Sequence, residues 1–236
     1  ADISPTAGQM PRLLGLAQAS KIYRNVSGIN QTNFSEQGNE VAWGTIGNAS
    51  TSEGLFFETI NAAGVLQVPM VMSVWDDEYG ISVHARHQTT KENISEILKG
   101  FQRDEENKGY EIMTVNGWDY PTLVETYQKA GAIAREEHVP VLIHVRELTQ
   151  PQGHSTSGSH ERYKNTERLE WEGNFDCIRQ MKLWMIENNI ATAEEIEAID
   201  IQAKKDVLEA KKAAWTAFIS PIKEERDELV SLLNTI

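Results

Sequence analysis

Two stretches of this sequence constrain the fold more than any others. Val68 to Trp75 (VPMVMSVW) and Val139 to Val145 (VPVLIHV) are almost wholly apolar at strand length. A strand with one wet face alternates apolar and polar residues. An unbroken apolar run instead fits a strand covered on both faces, as in a parallel sheet layered between helices. The segments around the two runs supply those helices. Pro11 to Tyr23 and about Ser52 to Ala63 carry apolar residues at helical spacing, with Gly64 expected to end the second helix. Thr90 to Leu98 and Tyr120 to Glu137 are further expected helices, and Glu40 to Ile46 and Glu111 to Val115 complete the strands. This alternation predicts an α/β fold, a mostly parallel sheet with right-handed crossovers and flanking helices. Such sheets bind ligands at the carboxyl ends of their strands. A site is therefore expected after Ile46, Trp75, Val115 or Val145.

The texture changes after Arg146. Thr149 to Ser159 is rich in Gly, Ser, Thr, Gln and Pro and predicts a long loop. From Asn174 onward the pattern is helical and charged. Thr192 and Glu195 form a capping box for a helix to about Phe218, Pro221 is expected to break it, and a last helix runs from about Lys223 to Leu233. The expected organisation is a ligand-binding α/β domain over residues 1–173, followed by a helical extension or linker over 174–236.

A net charge of −13 argues against a nucleic-acid backbone as main partner, because no basic field attracts it. A small anionic ligand needs only local donors and remains compatible. The single cysteine, Cys177, allows no internal disulfide and fits a reducing cytoplasm; it opens an amphipathic helix and is expected to pack rather than react. No apolar run reaches membrane-spanning length, so no membrane partner is expected. The first residues lack the basic and apolar regions of a secretory signal. They enter a structured pattern without an initiator Met, as expected of a sequence whose earlier residues lie elsewhere.

The most informative segment is Gly47 to Ser82, GNASTSEGLFFETINAAGVLQVPMVMSVWDDEYGIS. It holds a Gly-led turn, a helix, the first buried strand and a second turn, with both turns at the same edge of the expected sheet. The first turn opens a helix N-terminus, whose free N–H groups and positive dipole end suit a diphosphate. Asn48 and Asp77, with the Tyr79 carbonyl, are then placed to hold a Mg²⁺ bridging that diphosphate, since hard divalent ions take oxygen ligands. Taken alone, Asn48 is an ordinary turn residue and Asp76-Asp77-Glu78 a solvated acidic loop; only their shared register raises them.

This segment resembles the thiamine-diphosphate motif, which begins Gly-Asp-Gly or Gly-Glu-Gly and closes with Asn-Asn-x-Tyr. The resemblance implies Asn48, Asp77 and Tyr79 as metal ligands and Gly47, Asn48, Ala49, Asp77 and Ile81 as cofactor contacts. Gly54, Glu58 and Asn61 match family positions on the intervening helix, although exposed helix positions explain the last two equally well. Thr51-Ser52-Glu53-Gly54 is similar to the Ala-Ser-Glu-Gly of branched-chain 2-oxoacid dehydrogenases. The family carries a carboxylate first and an amide second; here Asn48 is the amide and Asp77 the carboxylate. The exchange keeps one negative charge and two side-chain oxygens. It leaves two readings open, a preserved site with exchanged ligands or a weakened one.

Two further segments resemble the same family, the alpha subunit of thiamine-diphosphate-dependent 2-oxoacid dehydrogenases. Ser4-Pro5-Thr6-Ala7-Gly8-Gln9-Met10-Pro11 is similar to the family's Ser-Pro-Leu-Ala-Thr-Gln-Ile-Pro, which implies that Ser4 and Thr6 lie at the cofactor. Gly8 stands where the family has the Thr of a potassium site. Gly153-His154-Ser155-Thr156-Ser157 resembles its His-Ser-Thr-Ser loop, which implies His154 as a catalytic, cofactor-facing residue and Ser155 as the position phosphorylated in mitochondrial members. Gln150 replaces an Arg ahead of that histidine, and Tyr163 matches the Tyr that follows the loop.

The resemblance implies thiamine diphosphate and Mg²⁺ as cofactors and oxidative decarboxylation of a 2-oxoacid, branched-chain before pyruvate, with the acyl group passed to lipoamide. It also implies two partners, a pyrimidine-binding beta module (a separate subunit or a fused continuation) and a lipoyl-bearing acyltransferase. The assembly would be a hetero-oligomer or a homodimer of fused chains. The exchange at Asn48 and the missing Arg motivate an alternative, a non-catalytic subunit of this fold that scaffolds a complex. A generic nucleotide-binding domain ranks last, because the first turn lacks both the GxGxxG and the GxxxxGK[ST] spacing. His84 and His87 are spaced for a metal, but no further ligand pattern completes a zinc site.

Overall fold

The computed structural model describes residues 5–29 and 33–235. The chain divides into two compact units, residues 1–181 and 182–236.

The first unit is built on a four-stranded parallel sheet. Helix α1 (Met10–Asn25) precedes strand β1 (Ala42–Gly47), and α2 (Gly54–Leu66) crosses from β1 to β2 (Met70–Trp75). A two-residue antiparallel hairpin follows, β3 (Tyr79–Gly80) against β4 (Val83–His84). The chain then passes through α3 (Ile94–Ile97), β5 (Glu111–Asn116), α4 (Tyr120–Glu137) and β6 (Val141–Arg146), and ends in α5 (Thr166–Asn174) and the start of α6 (Cys177–Glu187). Strand order is β1-β2-β6-β5, every neighbour parallel. The expected α/β architecture with a parallel sheet is therefore the observed one.

The pleat explains why the two central strands are apolar throughout. Met70, Met72 and Val74 of β2 face one cluster with Met10, Leu13 and Ala17 of α1 and Phe56, Ile60 and Ala63 of α2. Val71 of β2 and Val141, Ile143 and Val145 of β6 face the other, with Ala130 and Ala134 of α4. Each residue of β2 and β6 is buried except the last. Pairing in register sets Gly47 beside Trp75 and Trp75 beside Val145, so three strands finish in step along one edge.

Three expectations need correction. Gly64 does not end α2, which continues to Leu66 and stops at Gln67 in a left-handed conformation (φ 50°). The glycine serves packing instead: a Cβ there would lie 3.3 Å from the buried Tyr110 ring. Thr90 to Leu98 is not one helix. Lys91 and Glu92 have φ of 61° and 56°, and Asn93 accepts from the Glu96 N–H at 3.1 Å, so the helix restarts at Ile94. Asn competes for backbone N–H groups in this way and favours caps over helix interiors.

The third correction lies in the second unit, which consists of the end of α6 and a single helix α7 (Ala193–Leu233) with Pro221 inside it. A proline interior to a helix removes one hydrogen bond, but the Ala-, Lys- and Glu-rich flanks are strong helix formers and carry the helix through. The Thr192–Glu195 capping box is formed as expected, with both reciprocal hydrogen bonds. No helix among the described residues is long and apolar enough to cross a membrane.

Candidate cofactor and metal site

Where β1, β2 and β6 end together, the chain forms an open cavity of about 900 Å³. Its lining includes Thr6, Gly47, Asn48, Ala49, Asp77, Tyr79, Ile81 and His154. Every described residue that the sequence assigned to cofactor, metal or catalysis thus borders one cavity. Ser4 lies outside the described residues.

The two turns meet because of local backbone features. The Asn48 N–H donates to the Trp75 carbonyl at 3.0 Å, which ties the end of β1 to the end of β2. Gly80 then brings the second turn onto the first: a Cβ at Gly80 would lie 2.5 Å from the Ala49 Cβ. The turn is bounded by two non-glycine residues at positive φ, Glu78 (67°) and Ile81 (61°).

Of the two adjacent carboxylates, only one serves the cavity. Asp76 is buried, and its Oδ2 lies 2.8 Å from Nε2 of His144, itself fully buried. Its Oδ1 accepts the Glu78 N–H at 2.8 Å, and His144 Nδ1 continues to Ser95 Oγ at 2.9 Å. Asp77 accepts only the Tyr79 N–H at 3.1 Å among side-chain bonds of this turn, and it lines the cavity. Burial pushes the Asp77 carboxyl above its usual range, against the opposing pull of the Tyr79 amide and the Lys164 charge. A partly desolvated carboxylate of this kind is relieved by a cation.

Asn48 is 6% exposed, and its Nδ2 has no hydrogen-bond partner among the described residues. A buried unpaired amide is costly, and a phosphate oxygen would satisfy it. An orphaned Asn48 amide and a desolvated Asp77, both bordering the cavity at the carboxyl edge of the sheet, fit a Mg²⁺–diphosphate group.

His154 stands across the cavity. Its Nδ1 accepts from Thr156, the hydroxyl at 3.0 Å and the amide at 3.2 Å, so the neutral ring carries its proton on Nε2. Gln150 also lines the cavity. Ser155 is exposed.

Comparison with known proteins bears on this geometry. The dehydrogenase E1 component family matches residues 2–223. The chain belongs to that family. Relatives of this E1 chain include 2-oxoisovalerate dehydrogenase subunit alpha 1 of Arabidopsis thaliana, 26% identical over 99% of the chain and 44% of the relative. The pyruvate dehydrogenase E1 alpha subunit of Rickettsia bellii is 23% identical over 80% of the chain and 54% of its own length. The human somatic mitochondrial form is 26% identical over 78% and 45%. The chain therefore spans about half the length of the curated relatives it matches. A transketolase from Campylobacter jejuni aligns with 82% of the chain and 32% of its own, at 14% identity and a TM-score of 0.48.

Other residues around the cavity carry no role in the sequence reading. Glu53, at the start of α2, accepts from Thr6 N at 3.2 Å, Thr6 Oγ1 at 2.5 Å and Ala7 N at 3.3 Å, which fastens the N-terminal segment to the cavity. The Thr6 hydroxyl is the main reason its carboxyl lies below the usual range. Trp75 and Leu148 divide the cavity from a second, apolar one of about 350 Å³ over Tyr120, Leu123, Val124 and Tyr127. Glu58 and Asn61 are exposed and line no part of the site. His84 packs edge-on against the Tyr79 ring at 5.1 Å, and His87 is exposed. Cys177 is half-buried rather than in the core, 4.0 Å from the Thr149 hydroxyl.

Proposed function

We propose that this chain is the diphosphate- and Mg²⁺-binding module of an enzyme that oxidatively decarboxylates a 2-oxoacid and passes the acyl group to lipoamide. One observation carries the reading: Asn48, Asp77, Tyr79 and His154, drawn from three separate connections, border one cavity at the carboxyl edge of the sheet. Asn48 and Asp77, with the Tyr79 carbonyl, would hold the metal. The turn after Gly47 and the positive end of α2 would receive the diphosphate.

Thiamine diphosphate, when bound, supplies the electron sink for loss of carbon dioxide. The chain's own residues bind and orient. Glu53 keeps the Thr6 segment over the cavity, Trp75 and Leu148 wall the site with apolar surface, and the proton on His154 Nε2 is available to an oxygen or sulfur of the acyl acceptor. Residues that activate the pyrimidine ring would come from a separate beta module or a fused continuation, and a lipoyl-bearing acyltransferase would take the product. A branched-chain substrate is favoured over pyruvate because the 2-oxoisovalerate relative matches 99% of the chain and because of the Thr51-Ser52-Glu53-Gly54 segment. The single cysteine accords with a cytoplasmic setting.

The test is decarboxylation by the full-length protein with its partner module, comparing wild type with Asp77→Ala and His154→Ala on branched-chain 2-oxoacids and pyruvate. Loss of turnover in both variants is expected. Unchanged turnover in both overturns the assignment, and cofactor binding without any turnover in the wild type points to the scaffolding role.

A further inference from the structure

The turn from Asp76 to Ile81 carries two non-glycine residues in the left-handed region. Such a conformation persists only where the surroundings over-determine it. From below, Asp76 is fixed by His144. From the side, the turn is held by α5, a helix far away in sequence. Arg168 Nη2 donates to the Asp77 carbonyl at 3.0 Å, Nη1 pairs with the Glu78 carboxylate, and Nε donates to Glu172 at 2.8 Å. One guanidinium thus holds the Asp77–Glu78 peptide by its carbonyl and the Glu78 side chain by its carboxylate. Its fork is planar and rigid, so three simultaneous bonds fix the turn in angle as well as distance.

The guanidinium is itself preset. Glu172 is buried and also binds the buried Lys164, at 2.7 and 2.9 Å. The Lys164 ammonium lies 5.0 Å and the Arg168 guanidinium 5.6 Å from the Tyr79 ring centroid, and the Tyr163 ring packs against it at 5.6 Å. The Asp77 carbonyl is occupied by Arg168, and the Asp76 carboxylate by His144. Of the two acids, that leaves the Asp77 carboxylate, which lines the cavity, for a cation.

We propose that Arg168 is a positioning residue for the metal-binding turn, orienting the Asp77 carboxylate by holding the Asp77 carbonyl and the Glu78 side chain beside it. The inference rests on the Mg²⁺–thiamine diphosphate reading of the cavity. Arg168 does not line that cavity. It acts through the turn.

The test is calorimetric titration of thiamine diphosphate into the full-length protein at a series of Mg²⁺ concentrations, with melting temperature measured in parallel without metal. Arg168→Met leaves Glu172 paired with Lys164, so the fold is expected to survive. Its Mg²⁺ half-saturation is expected to rise roughly tenfold or more, the usual effect of losing a group that orients a ligand. Arg168→Lys, which keeps a charge but loses the fork, is expected to fall between it and wild type. Glu78→Gln is expected to give a smaller rise. A titration of Arg168→Met that overlays wild type overturns the proposal. So does a variant whose Mg²⁺ dependence is normal while metal-free stability alone falls. If Arg168→Met does not fold, Arg168→Lys and Glu78→Gln decide, and wild-type titrations in both overturn it. A wild type that binds the cofactor without any Mg²⁺ dependence defeats the functional reading itself, and this inference with it.

Discussion

His144 and Asp76 meet 2.8 Å apart beneath the cavity, the ring fully buried and the carboxylate 7% exposed. This contact commits Asp76 to the fold and leaves Asp77 to the cavity. Replacing His144 with Leu strands a buried carboxylate. Such losses are worth about 3 kcal/mol, and urea unfolding should show a drop of that order. Asp77→Asn leaves the same network untouched. It should change metal-free stability by less than about 1 kcal/mol, while weakening Mg²⁺-dependent cofactor binding in the same preparation.

The Lys164–Glu172 pair should respond unequally to its two deletions. After Lys164→Met, Arg168 still neutralises Glu172. After Glu172→Leu, the buried Lys164 ammonium loses its ion-pair partner. Both variants should lose stability, with Glu172→Leu the worse of the two by about 1 kcal/mol or more. Equal losses in denaturant unfolding would contradict the arrangement described.

Gly80 is where the two turns touch. A methyl group there would sit 2.5 Å from the Ala49 Cβ and 2.5 Å from Gln88 Nε2, so Gly80→Ala must push the turns apart. Thiamine diphosphate affinity, measured calorimetrically, should fall at least about tenfold, with far-UV circular dichroism unchanged.

His138 ends α4 in a left-handed conformation, and its Nε2 lies 3.0 Å from the Gly38 carbonyl. Burial holds its pKa below the ordinary value. The Gly38 carbonyl opposes this, and the nearby Arg24 and Lys21 charges reinforce it. The folded state thus resists a proton that the unfolded chain accepts near pH 6.5. The His138 contribution is complete above about that pH and is lost as pH falls below it towards the lower folded value. His138→Asn, which tolerates the left-handed backbone, should flatten the acid side of the stability curve in that window. An unchanged slope in denaturant titrations would count against it.

Much of this molecule is legible in its sequence wherever the deciding forces are local. Tyr120–Glu137 occupies the helix expected, because Asp119 caps it, Pro121 lies in its first turn and its apolar spacing is regular. The Gly47 and Asp77 turns were legible because each directly follows a strand. The misses are long-range or competitive. Gly64 resembles a helix stop until the Tyr110 ring is seen against it. The left-handed Lys91 and Glu92 have no signature in hydrophobic spacing. Glu53 reaches Thr6, and Arg168 reaches Asp77, across 47 and 91 residues. No periodicity encodes such pairings, so the supports of the cavity stayed hidden while the residues that line it did not.

Trp75 closes β2 with a half-exposed indole, anchored through Nε1 to the Ser73 hydroxyl at 3.1 Å, and it borders both cavities. The chain therefore carries an optical probe at the mouth of its own site. Anything that enters either chamber alters the polarity around that indole. Fluorescence during cofactor or 2-oxoacid titration, with Trp75→Phe as the blank, gives occupancy without a label or a coupled reaction.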